Sequence, residues 1–178
     1  MPDTCIKTAA ILILTLMGTM CLWAQPKAIG TAYSFSGISA VYEHEISEET
    51  FLDAAVKAEL GEVFNARASF PGASASISWN LILKKWEREE GESFRLFAGT
   101  GIHAGWGNDM RKAEGFNFGL KGRFGLECLF KRKVSVSLVL APVIGMHMTV
   151  LEESLKMEYY RNGLLNGIMP EIGIRYAF

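Results

Sequence analysis

The stretch FNFGLKGRFGLECLFK, residues 116–131, is two sequences interleaved. Phe116, Phe118, Leu120, Gly122, Phe124, Leu126, Cys128 and Phe130 make one series, bulky and apolar. Asn117, Gly119, Lys121, Arg123, Gly125, Glu127, Leu129 and Lys131 make the other, mostly small or charged. Side chains of a β-strand change face with a period of two. The stretch therefore predicts a strand with two unlike faces.

The alternation spreads from there in both directions. Downstream, Val134, Val136, Leu138, Leu140, Pro142, Ile144, Met146 and Met148 oppose Ser135, Ser137, Val139, Ala141, Val143, Gly145, His147 and Thr149. The last run sets Ile168, Pro170, Ile172, Ile174, Tyr176 and Phe178 against Met169, Glu171, Gly173, Arg175 and Ala177. Upstream, residues 95–106 place Leu96, Ala98, Thr100, Ile102, Ala104 and Trp106 opposite Arg95, Phe97, His103 and three glycines. Residues 73–83 place Ile77, Trp79, Leu81 and Leu83 opposite Ser74, Ser76, Ser78 and Asn80. Weaker runs cover 29–35, 37–46 and 50–60; the last contains helix-forming residues, but its strict alternation favours a strand. The expectation is eight strands in all.

The 178 residues carry 18 basic and 19 acidic side chains, a formal charge of −1. Without a field of one sign, nucleic-acid binding is not expected. Mean hydropathy is +0.17, too low for a polytopic helical membrane protein and high for a charged soluble domain. Thr8 to Trp23 is uncharged, follows Lys7, and is shorter than the ~20 residues of a spanning helix. It reads as a cleaved signal peptide, residues 1–24, leaving 25–178 as one domain. Cys5 and Cys21 leave with it, so Cys128 has no disulfide partner. His44, His103 and His147 are too scattered for a metal site, and no cofactor motif occurs.

Small residues on one face suit the cramped interior of an eight-stranded barrel. Bulky apolar residues on the other, with aromatics near strand ends, suit a lipid-facing surface with interfacial girdles. In lipid a closed barrel is the only β arrangement that pairs every backbone group. Fold class is therefore all-β: an eight-stranded antiparallel transmembrane barrel. Connections at 47–49, 87–92 and 131–133 read as short periplasmic turns. Those at 36–37, 61–72, 107–115 and 151–167 read as outside loops, three of them long. Both termini are then periplasmic, in the outer membrane of a Gram-negative cell.

The C-terminal Glu171-Ile-Gly173-Ile-Arg-Tyr176-Ala-Phe178 resembles the insertion signal read by the barrel-assembly machinery, through Glu171, Gly173, Tyr176 and Phe178. Residues 37–44 (GISAVYEH), 97–106 (FAGTGIHAGW), 125–130 (GLECLF) and 173–178 (GIRYAF) are similar to the small outer-membrane β-barrel proteins common in Bacteroidota. Where those proteins often carry Asp and Lys around a seventh-strand proline, this chain has Val139 and Ala141 near Pro142. The resemblance implies a location rather than an enzymatic activity.

Parity places Glu43, Glu45, Asp53, Glu59, Glu127 and Glu171 inside with Lys57, Lys84, Arg95, Lys121, Arg123 and Arg175. Six charges of each sign predict a mutually paired plug, because buried charges persist only when paired. The expected function is a closed barrel with a structural or surface-interaction role, monomeric in outer-membrane lipid. Tyr159, Tyr160 and Arg161 of the longest loop are candidate binding residues, being hot-spot types. One rival is a lipid-modifying enzyme performing acyl transfer or deacylation, with His147 and Thr149 on one face. The other is a narrow pore for small solutes. No catalytic residue is assigned, because two-residue spacing on a strand recurs by chance.

Overall fold

The computed structural model describes residues 26–60, 72–88, 92–109, 114–131, 133–151 and 154–178. The predicted signal peptide, residues 61–71 of the predicted loop at 61–72 and residues 110–113 of that at 107–115 lie outside them, while Gly107 and Asn108 pair with Gly115 and Glu114 as strand ends instead of loop. Strands β1 (Lys27–Ser34), β2 (Gly37–Ser47), β3 (Thr50–Glu59), β4 (Gly72–Glu87), β5 (Ser93–Asn108) and β6 (Glu114–Phe130) pair antiparallel in chain order. Then come β7 (Val134–Leu140), β8 (Val143–Leu151), β9 (Ser154–Tyr159), helix α1 (Arg161–Ile168) and β10 (Glu171–Ala177). β10 pairs with both β7 and β1, which closes the sheet.

β7 and β8 are one strand interrupted at Ala141-Pro142. Opposite β6, Leu140 faces Phe124 and Val143 faces Lys121, so no register is lost across the break. Proline has no N–H for the ladder, but its carbonyl still accepts from Gly122 N at 2.8 Å. The eighth strand is shared by β9 and β10. From Tyr159↔Met146 to Glu171↔Val139 the eighth strand uses twelve residues where the seventh uses seven. The surplus of five is wound into α1. Counting β7–β8 and β9–β10 once each gives a closed eight-stranded antiparallel barrel.

The stagger can be followed around the wall. Leu138 pairs Ile172, which pairs Tyr33, then Ile38, Ala58, Ala73, Trp106, Phe116 and finally Met148. The path returns to the seventh strand ten residues beyond its start. A stagger of this kind forces the strands to tilt, and eight tilted strands leave an interior only wide enough for side chains.

Polarity is inverted relative to a soluble protein. Ile102, Leu120, Ile144, Ile174 and their like point outward with roughly half or more of their surface exposed. Ser78, Asn80, Asp53, Glu127 and Arg175 are buried inside.

Two expectations fail here. Residues 151–167 are not an open loop, because β9 extends the β8 hairpin and α1 follows. The last strand starts at Glu171, and Ile168 closes the helix. The helix was hidden in the sequence by its two glycines and two asparagines, all poor helix formers. It is held from outside. Asp109, beyond β5, accepts from Asn162 N at 3.0 Å and Arg161 N at 3.4 Å, placing a carboxylate at the helix start. Gly163 and Gly167 let the helix backbone lie against Val143 and Pro142, where a Cβ would collide.

Candidate functional site

The site is the lumen, and inward parity builds it. β3 contributes Phe51 and β5 contributes Phe97, both fully buried, with edge-to-face rings 5.0 Å apart. Val139 and Ala141 of the seventh strand complete this apolar layer. Two guanidiniums lie against it: Arg95 is 4.3 Å from the Phe51 centroid and Arg123 is 5.5 Å from that of Phe97. Arginine stacked on an aromatic face gains cation–π attraction.

Around this layer runs a continuous ionic network. Arg95 donates to Glu43, Glu127 and Glu45, the last at 3.2 Å. Arg175 reaches Glu43 and Glu127, both at 3.4 Å, and Asp53 at 3.3 Å. Arg123 holds the other Asp53 oxygen at 2.7 Å. The network ties β2, β3, β5, β6 and β10 together across the interior. Burying such charges is tolerable only because each faces an opposite one.

On one side of the network, towards Ser36 and α1, lies a chamber of about 50 Å³. Lys57 donates to Ser36 Oγ at 2.5 Å and sits 3.9 Å from Glu171, while Glu59 accepts from Ser74 Oγ at 3.0 Å. Lys121 donates to Ser76 Oγ at 3.1 Å. Tyr160 is buried over this chamber, its ring stacked between His103 and His147 with centroids 6.2 Å from each. His103 Nε2 donates to Asn117 Oδ1 at 2.9 Å, and His147 Nε2 to the Gly107 carbonyl at 3.2 Å. On the other side, towards the turns at 47–49 and 87–92, is a vestibule of about 510 Å³ rimmed by Glu45, Glu48, Lys85 and Glu92.

Eleven of the twelve charged residues expected inside line this interior. Lys84 does not. A bulge between Ile82 and Lys84 pairs Lys84 with outward-facing Leu96, and its Nζ lies 5.2 Å from the Trp86 ring. The extra residue of a bulge swaps faces for everything after it, which parity counting cannot foresee. Tyr159, Tyr160 and Arg161 do not form one surface: Tyr159 and Arg161 are exposed, but Tyr160 is only 3% exposed. Glu171 and Gly173 face inward, while Tyr176 and Phe178 face outward. His147 and Thr149 are both buried inside. Among the described residues, no three His, Cys, Asp or Glu side chains are grouped as metal ligands. The sequence reading passed over Phe51, although strict alternation through 50–60 already put it opposite Leu52 and therefore inside. Nothing local marked Asp109 as a helix cap.

No family model and no curated relative matches the chain. Solved structures do resemble it. The N-terminal β-barrel domain of Pseudomonas aeruginosa OprF is 11% identical, with a TM-score of 0.45 over 86% of this chain and 96% of that one. Neisserial surface protein A is 14% identical, with a TM-score of 0.40 over 86% and 94%. Ail, the attachment invasion locus protein of Yersinia pestis, is 12% identical, with a TM-score of 0.33 over 86% and 94%. No residue role passes to this chain at such identities.

Proposed function

We propose that the chain is an integral outer-membrane β-barrel whose lumen is closed by paired charges and whose role is structural or exerted at the cell surface. The observation that carries this reading is the inverted distribution of polarity on a closed wall. A soluble monomer rarely exposes contiguous apolar patches beyond a few hundred Å². Here the outward faces of the strands are mainly apolar, with Ile29, Val56, Ile77, Ile102, Leu120, Ile144 and Ile174 all at least half exposed, and lipid is the solvent that suits them. The resemblance to small barrels of Bacteroidota agrees with this location. Lys27 and Phe178, at the two ends of the described barrel wall, lie on the side of the short turns, which fits a periplasmic start and end.

The plug supports a closed interior. Arg95, Arg123 and Arg175, with Glu43, Asp53 and Glu127, fill the lumen cross-section between chamber and vestibule. Planar-bilayer recording tests the reading. The purified barrel is expected to insert without steady single-channel steps; reproducible steps would mean an open path and defeat the plug. Heat-modifiable migration of protein from outer-membrane fractions tests the location, and its absence there would remove it. Lipid A profiling with and without the protein is expected to give the same acyl pattern.

A further inference from the structure

We propose that the open edge of β9 takes up an extended segment of another cell-surface polypeptide as one further strand. Only the place of meeting depends on the outer-membrane reading. β9 ends the strand order and pairs with β8 alone. Among the described residues no strand stands on its far side: β1 stops at Ser34, and its pairing with β10 ends at Tyr33↔Ile172. One bond fixes which backbone groups face which way. Tyr160 N donates to the Gly145 carbonyl at 2.9 Å. In an antiparallel ladder, residues that bond to one neighbouring strand alternate with residues that bond to the other. Counting back by twos from Tyr160, Glu158 and Lys156 bond to β8, while Tyr159, Met157 and Leu155 turn their N–H and C=O groups to the open edge. Among the described residues, no backbone group bonds to these three from that side.

A row of unpaired backbone groups is a template for another strand, and edges that must stay free carry proline, a bulge or blocking charges. β9 has no proline, its register with β8 is unbroken, and Lys156 and Glu158 are its only charges. The free donors and acceptors recur every second residue, about 6.8 Å apart. An extended peptide repeats its own at the same spacing and so adds as a strand, which a sugar or a lipid headgroup does not. The side chains set which peptide fits. Leu155, Met157 and Tyr159 are exposed on the outward face beside Met146 and Met148, and Lys156 is exposed on the opposite face. The partner segment is therefore apolar at alternate residues and carries an acid opposite Lys156.

Amide exchange followed by NMR on the full barrel in detergent micelles tests the edge. The probe is the end-capped peptide Ser-Val-Thr-Val-Glu-Val-Ser, which in antiparallel pairing sets valines against Leu155, Met157 and Tyr159 and its glutamate against Lys156. In the free barrel the amides of Leu155, Met157 and Tyr159 are expected to exchange about tenfold or more faster than those of Lys156 and Glu158. Millimolar peptide is expected to shift their resonances and slow that exchange. Met157→Pro removes an edge donor but no bond to β8, so it is expected to fold, by heat-modifiable migration, and to lose the peptide response. Met157→Thr keeps the N–H and is expected to keep the response. Slow exchange of the three amides in the free barrel, no response to peptide, or an undiminished response in Met157→Pro would overturn the proposal. So would slowing that rises with barrel concentration alone, which would assign the edge to a second copy. If Met157→Pro does not fold, the exchange pattern and peptide titration of the wild type decide. None of these readings needs a membrane, so a barrel found outside the outer membrane would fail the location and leave the edge standing.

Discussion

Arg175 is buried among Glu43, Asp53 and Glu127, so its removal takes away one of the two arginines that each of these carboxylates faces. Breaking a buried charge network from one side costs about 3–5 kcal/mol. Arg175→Met is expected to lower the unfolding free energy by that order, measured by urea titration of the barrel in lipid vesicles. A loss below about 1 kcal/mol would show that the pairs do not hold the wall together. Lys84→Met serves as the contrast. Its outward, exposed ammonium lies over the Trp86 ring, and surface changes of this kind stay within about 0.5 kcal/mol. Parity alone separated inward Arg175 from outward Tyr176. It misplaced Lys84 because a bulge leaves no mark on residue type.

The eighth strand is where element-level reading broke down. Alternation predicts where an apolar face continues, but α1 carries Leu165 and Ile168 outward and Gly163 and Gly167 inward, so its outer surface is as apolar as a strand's. Its stability comes from Asp109 and from strand seven rather than from its own sequence. Gly167→Leu would drive a side chain into the Pro142 backbone. It is expected to lower the melting temperature or prevent the heat-modifiable shift altogether. Tyr160→Ala removes the ring between His103 and His147. Truncating a buried aromatic costs about 3–5 kcal/mol, here concentrated at one end of the barrel. Limited proteolysis of whole cells is expected to cut the variant within residues 154–168 faster than the wild type, with the strands below still protected. Equal cutting rates would mean that Tyr160 does not anchor the segment.

At the scale of the whole molecule, the two faces make a labelling prediction. In a Cys128→Ser background, single cysteines at Ile102, Leu120 and Ile144 are expected to react with a lipid-phase thiol reagent. Cysteines at Ser76, Ser78 and Ser137, which are buried inside, are expected to stay unlabelled. Labelling without regard to parity would contradict the inside-out wall. What the sequence determined by itself was this alternation, and with it the strands, their faces and the charges of the lumen. A period of two is a local property, written residue by residue. Only the tertiary structure decided the ten-residue stagger, the partners within the network, the bulge that expels Lys84 and the helix folded into the eighth strand. Each of these depends on which distant strand lies alongside, and closing the barrel makes that choice for every strand together.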